Sequence, residues 1–422
     1  MDAVSQQDLE RIQQAGGADL VVGILGPDHN GEAGAAVAIV RAALGELSGQ
    51  SNRVVRAVVL SNNGAPSPAA TVPEGDGGTG SATVLWFNLA ATDPEETPQS
   101  GIAHAYRSVL AVGGKLGARA CGVIASHLQA VTPQWIYRLV QPVLDLGFDL
   151  VAPRYTRHRM EGLLNRSVLS PLHRALYGLQ LQNPEGPDFG LSGKFLQRAL
   201  GRDPGGSHGN ERDPLASIVP TAAGGGFRVC ESHLGARAQP PTDWLNLSSL
   251  LAGVLGPVFL EMERQAALWQ GIRASNALPG FGSPEPVSED TGTVDVQRMV
   301  ESFRLGAQNL QDVWGLILPP TTFLELRKLA RLPPDQFRMP DDLWVRIVYD
   351  FALGHRQRTI SRDHLLRSIT PLYLGWIASY ALEMDTGEPA RIEARIERLA
   401  RSYEAGKPYL VSRWRWPDRF NP

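Results

Sequence analysis

The sequence predicts an α/β fold: a mostly parallel, Rossmann-like sheet covered on both faces, followed by a helical region. Three observations predict it. Through about residue 235 short, near-continuous apolar runs alternate with helical stretches, the pattern of strands buried on both faces and joined by crossover helices. From about residue 242 the apolar spacing changes to three and four, the period of an amphipathic helix. At 422 residues the chain also exceeds the roughly 250 to 300 residues over which one core keeps growing. The expected division is a sheet domain over 1–241 and a helical domain over 242–422.

Each element has its own signal. Residues 19–26 (DLVVGILG) read as the first strand and the Ala-rich 32–47 as a helix. Residues 54–61 (VVRAVVLS) and 81–89 give the second and third strands. A helix over 100–116 leads to a fourth strand over 118–125. The helix over 133–146 begins at a proline, which suits a first helical turn. A fifth strand follows over 149–153 and a sixth over 225–235. Helices are then expected over 244–271, 295–314, 323–330, 341–353, 361–384 and 389–405. Gly- and Pro-rich stretches at 64–81 and 201–213 read as surface loops, and 275–292 as a connector.

Composition narrows the function classes. Charged residues are 20%, hydrophobic ones 43%, and the formal net charge is −3, which gives no global pull toward nucleic acid or anionic lipid. Cys121 and Cys230 lie in separate apolar runs with no Cys-x-x-Cys pair, so two buried free thiols are expected. The first twenty residues carry acids and glutamines and no apolar signal core, and no apolar run approaches the roughly 20 residues of a membrane span. These features fit a cytoplasmic protein. Broad apolar helical faces after residue 290 suit a homodimer.

In open α/β folds ligands bind outside the carboxyl ends of the strands, so the residues that follow each strand carry the functional reading. Gly26 opens GPDHNGEAG, whose amides and following helix N-terminus suit an anion, although the same residues make an ordinary Gly-rich turn. The stretch is not G-x-G-x-x-G, which argues against a dehydrogenase. Asn62 and Asn63 end the second strand and suit a base or ribose, or a turn. Residues 121–136 (CGVIASHLQAVTPQWI) place Ser126 and His127 after the fourth strand. Arg154, Arg157, His158 and Arg159 cluster after the fifth, where planar guanidinium forks suit carboxylate or phosphate. Asp188 lies in GPDFGLSG. That Asp-Phe-Gly has no His-Arg-Asp loop beside it, so a kinase is disfavoured, and no Gly-x-Ser-x-Gly elbow supports a serine hydrolase.

Taken together, residues 123–193, 226–237 and 364–383 resemble bacterial glucosylglycerate and mannosylglycerate synthase-like glycosyltransferases of GT-A fold. The resemblance covers about two thirds of the chain in consistent order. It implies a nucleotide-diphosphate sugar held across the strand ends by Gly26, Asn62, Asn63 and Ser126. The hexose would pass to a small acceptor such as glycerate, bound by Arg157, His158 and Asn165. Asp188 would orient the transferred sugar, with His127 beside the diphosphate. Family members end the fourth strand in Asp-x-Asp, whose carboxylates hold Mg²⁺ or Mn²⁺; here Ala125, Ser126 and His127 stand in that triplet. A second family ligand, a late histidine, falls where Gln239 stands, with His233 six residues earlier. His127 is then the remaining candidate metal ligand, best suited to Mn²⁺ or Zn²⁺. If no metal binds, Lys115, Arg119, Arg154, Arg157 and Arg159 are the candidate cations. The alternative is a catalytically silent homologue that binds a ligand or partner through the same cleft.

Overall fold

The computed structural model describes residues 10, 17–25, 33–51, 55–61, 82–89, 98–127, 130–201, 213–237, 246–285, 294–384 and 388–416. In chain order the elements are β1 (Leu20–Ile24), α1 (Ala33–Ser51), β2 (Val55–Ser61), β3 (Ala82–Asn88), α2 (Pro98–Lys115), β4 (Ala120–Ile124), α3 (Pro133–Leu146), β5 (Leu150–Thr156), α4 (Ser170–Tyr177) and β6 (Phe189–Ser192). Then come α5 (Gly193–Gly201), α6 (Pro214–Gly225), β7 (Val229–Ala236), α7 (Leu247–Arg264), α8 (Ala266–Gly271), β8 (Gly280–Phe281), α9 (Val296–Asn309), α10 (Gln311–Ile317), α11 (Pro320–Leu329), α12 (Asp341–Gln357), α13 (Arg362–Ser368), α14 (Thr370–Glu383) and α15 (Pro389–Arg415).

One unit is an eight-stranded sheet in the order β3-β2-β1-β4-β6-β5-β7-β8. All pairings are parallel except those of β6, which runs antiparallel to both β4 and β5. This is the α/β class expected from the sequence, a mostly parallel sheet followed in the chain by helices. Every residue of β1 and β4 is buried, as their uninterrupted apolar sequences require of central strands. Gly23 meets Val109 of α2, whereas Gly122 meets Val140 of α3. Because Val22 pairs with Gly122 and Gly23 with Val123, these two glycines face opposite sides, so α2 and α3 cover opposite faces.

Two strands go beyond the six expected. β6 has only four residues, FGLS, and lies in a stretch that reads locally as a Gly-rich loop. Pairing on both sides supplies what local propensity lacks. Gly190 of β6 pairs with Gly122 of β4, and a Cβ on Gly190 would run into the Leu139 carbonyl oxygen of α3. The glycine pair therefore lets α3 lie directly against the sheet. Pro142 within α3 cannot donate to the Arg138 carbonyl one turn earlier. The Ser232 hydroxyl of β7 donates to that oxygen at 2.8 Å, tying the helix to the strand. Cys121 and Cys230 are buried and unbonded, and burial pushes each thiol up to about 12, so both are unreactive apolar packing.

The single boundary expected after residue 241 becomes an interleaved one. The sheet unit comprises Met1–Thr156, Asn183–Gln239 and Leu278–Val287; the helical unit comprises Arg157–Gln182, Pro240–Ala277 and Ser288–Pro422. The reason is ionic and polar pairing that the linear pattern does not carry. Arg174 of α4 bonds both Glu397 and Glu404 of α15, and the Ser167 carbonyl accepts from Trp344 and Tyr403. β8 in turn adds to the edge of the sheet beside β7. In the helical unit the nearly buried Arg395 grips both oxygens of Asp341, at 3.0 and 2.7 Å, and Glu383 at 2.6 Å. No helix among the described residues is long and apolar enough to cross a membrane.

Candidate functional site

β1 and β4 lie side by side and parallel, while the chain leaves β1 toward β2 and β3 on one flank and β4 on the other. The strand order thus reverses between them, and the crevice outside their carboxyl ends is the topological switch point where such sheets take ligands. The Leu25 amide, just past β1, donates to the Ile124 carbonyl at 2.7 Å and holds the two ends together.

The antiparallel insertion of β6 decides what stands at the end of β4. Phe189 pairs with Val123, so the preceding residue, Asp188, comes level with the turn that leaves β4. Its carboxyl group is 0% exposed and accepts four hydrogen bonds. One oxygen takes the amides of Ala125 at 2.8 Å and Ser126 at 3.0 Å; the other takes the hydroxyls of Ser126 and of Tyr155 at the end of β5. The loop that carries Asp188 is pinned as well. Tyr106 donates to the Pro187 carbonyl at 2.8 Å and stacks on Phe189, and Asn183 donates to the Pro153 carbonyl at 3.0 Å. Burial, then the Asp188 charge, pushes the Tyr106 hydroxyl well above its ordinary value. Glu185 and Asp213 are both pushed up, chiefly by burial, and Asp213 caps α6 through the Ala216 amide.

Arg237, the residue after β7, reaches the same place. Its Nε donates to Ser126 Oγ at 3.0 Å, and its guanidinium carbon lies 5.4 Å from the centre of the Tyr155 ring. Further along β5 and β7, Arg154 stands 4.0 Å from Glu231 and Arg138 donates to the His233 carbonyl at 2.7 Å. Burial, then the charges of Arg154 and Arg138, holds the His233 imidazole below its ordinary value. Gly235 has φ of +87°, so a side chain there would be strained.

Ser126 and Asp188, two of the residues expected at the site, therefore meet, and Ser126 is the pivot. His127 follows directly, half-buried, with its carbonyl accepting from the Ala130 amide at 3.0 Å. Gly26, Asn62, Asn63 and Gln239 lie outside the described residues. Arg157, His158 and Asn165 belong to the helical unit: the Arg157 carbonyl accepts from Arg166, His158 Nε2 stands 3.2 Å from Glu161, and Asn165 donates to the Gln182 carbonyl. Asp188, expected to orient a sugar hydroxyl, has its carboxyl enclosed by four protein donors and holds the turn after β4. Lys115 and Arg119 were candidate cations, yet both precede β4 and so sit at its amino end, about 16 Å from the crevice by strand rise. Tyr155 and Arg237 were missed; their one signal was position, at the ends of the fifth and sixth expected strands.

A divalent metal does not fit the residues described here. Ala125 offers no side-chain donor, and the Ser126 hydroxyl and both Asp188 oxygens are engaged. Among the described residues no three His, Cys, Asp or Glu side chains converge to hold a metal ion. Mg²⁺ in particular needs several hard oxygen ligands.

No protein-family model and no curated protein matches the chain. Among solved structures it is similar to glucosyl-3-phosphoglycerate synthase from Mycobacterium tuberculosis in complex with phosphoglyceric acid, at 19% identity over 62% of this chain and 84% of that one, with a TM-score of 0.36. The complex of that synthase with Mn²⁺, UDP-glucose and phosphoglyceric acid gives 16% identity over the same shares, 62% and 84%, and a TM-score of 0.34. Mannosyl-3-phosphoglycerate synthase from Rubrobacter xylanophilus gives 14% identity over 63% of this chain and 80% of that one, with a TM-score of 0.37.

Proposed function

We propose that the protein is a glycosyltransferase that binds a nucleotide-diphosphate sugar at the switch point and transfers its hexose to a small anionic acceptor such as glycerate. The observation that carries this reading is the switch point itself: the carboxyl ends of β1 and β4 side by side, with Ser126 and Arg237 joined at the exit from β4. The sequence resemblance supplies the chemistry. In it the bond from the sugar anomeric carbon to the diphosphate oxygen breaks, its electron pair leaving with the diphosphate; the acceptor oxygen bonds to that carbon, and its proton passes to the departing nucleoside diphosphate. Gly26, Asn62 and Asn63 keep the nucleotide role in this proposal, Ser126 and His127 flank the diphosphate, and Arg157, His158 and Asn165 keep the acceptor role. Asp188 acts through Ser126 and Tyr155 and not on the sugar.

A second reading, a silent homologue that binds the nucleotide sugar without turning it over, is favoured by one observation: the carboxyl group at the end of β4 is consumed by protein donors. One experiment separates them. The protein is mixed with UDP-, ADP- and GDP-linked hexoses and glycerate, with Mn²⁺ and with chelator, and release of nucleoside diphosphate is followed. Acceptor-dependent release supports the transferase. Binding without release sinks the transferase and keeps the silent reading; absence of binding sinks both.

A further inference from the structure

We infer that Arg237 supplies the diphosphate-binding charge at the end of β4, so that the nucleotide sugar is bound without a divalent metal; the inference deepens the proposed function and rests on it. The argument starts from the hydroxyl of Ser126. That hydroxyl has one proton, which it donates to Asp188, so toward any other partner it can only accept. Arg237 Nε donates to it at 3.0 Å. Tyr155 likewise donates its hydroxyl proton to Asp188, and its ring face lies beneath the guanidinium at 5.4 Å. One enclosed carboxyl group therefore orients two hydroxyl-bearing side chains, and these two fix one guanidinium.

Only one edge of that guanidinium is consumed. Among the described residues Arg237 makes no ion pair with a carboxylate, and its two terminal nitrogens donate to no other described group. Arg154, by contrast, stands 4.0 Å from Glu231, and Arg138 is bonded to a carbonyl. The free edge of Arg237 presents the planar two-donor fork that matches two phosphate oxygens, and a guanidinium keeps its charge throughout the physiological pH range. A fixed cation aimed at a departing diphosphate stabilises the charge that develops there, as a metal would. The tripeptide 125–127 contributes no carboxylate to pair with this cation.

Titration calorimetry on the full chain tests this. UDP-, ADP- and GDP-glucose are the probes, with the matching nucleosides as diphosphate-free controls, each in chelator and in Mn²⁺. The expected result is that one nucleotide sugar binds in chelator with an affinity that Mn²⁺ does not raise. Arg237→Ala should weaken it at least about tenfold while nucleoside affinity is unchanged. Arg237→Gln keeps a donor for Ser126 and removes the charge, so it should lose as much and guards against a misfolded alanine variant; Arg237→Lys should lose less. Binding seen only with Mn²⁺ overturns the inference and leaves the proposed function standing. Binding in chelator that Arg237→Gln does not weaken overturns it too. If no nucleotide sugar binds in either medium, inference and proposed function fail together.

Discussion

Replacing Asp188 with alanine removes the acceptor for four donors at once, three of them buried and the Ala125 amide half-buried. The hydroxyls of Ser126 and Tyr155 can rotate toward other acceptors, but the amides of Ala125 and Ser126 are fixed by the strand that precedes them. A buried donor left without a partner costs about 1 to 3 kcal/mol, so the two amides alone account for about 2 to 6 kcal/mol. Asp188→Asn retains one carbonyl oxygen for the amides and turns an amide group toward two hydroxyls that can accept, and should lose about 1 to 2 kcal/mol. Urea unfolding of the three proteins, with unfolding slopes compared to exclude a change of mechanism, measures both values. A loss below about 1 kcal/mol for Asp188→Ala would refute the description of Asp188 as the anchor of the turn after β4.

Three further outcomes follow from other parts of the chain. Gly190→Ala forces a methyl against the Leu139 carbonyl and should destabilise by about 3 kcal/mol in the same assay, since backbone must move. Arg395→Ala leaves Asp341 and Glu383 without their buried partner and should cost about 3 kcal/mol, the low end for such pairs because Arg398 also reaches both; a neutral effect in thermal unfolding would sink this. Burial pushes Asp350 up to about 7 against the opposing pull of Arg413 and Tyr409, so the native state holds its proton more tightly than the unfolded chain. Native stability should therefore fall as pH rises from about 4 to 7 and level off above, by up to about 4 kcal/mol. The stability difference between Asp350→Asn and the parent, measured from pH 4 to 8, should grow across that window in favour of the variant; a flat difference would contradict it. Taking the difference cancels His173, which burial lowers to about 4 and which destabilises in the opposite direction, as pH falls below 6.5.

What was legible in the sequence follows from what is local. β1 and β4 announce themselves because central strands buried on both faces are apolar throughout, and β2, β3, β5 and β7 carry apolar runs long enough to read as strands. β6 does not, because its glycine is demanded by α3, which is close in space and about fifty residues away in sequence. The position of Asp188 across from the end of β4 exists only through the antiparallel pairing of β6, which the linear pattern does not carry. The segment 157–182 was assigned to the sheet because it follows β5 directly; its allegiance is set by α15, more than two hundred residues downstream. The exclusion of Lys115 and Arg119 was legible all along, since residues that precede a parallel strand stand at its amino end.

In the proposed binding mode, a carboxylate pair at 125 and 127 would compete with the diphosphate for the guanidinium of Arg237. An aspartate at 125 or 127 would lie within two residues of Ser126, the residue to which Arg237 is bound, and would pair with the guanidinium in place of a ligand. The double variant Ala125→Asp, His127→Asp therefore does more than restore two oxygen ligands. It should weaken nucleotide-sugar binding in chelator by about tenfold through capture of Arg237, and it should gain a response to Mn²⁺ that is expected to be absent in the parent. Adding Arg237→Gln to that variant should cause little further loss in chelator, because the charge it removes is already neutralised. A double variant that binds as well as the parent in chelator, and loses affinity only when Arg237 is also changed, would show that the arginine stays available beside two carboxylates and would separate the two features that this competition joins.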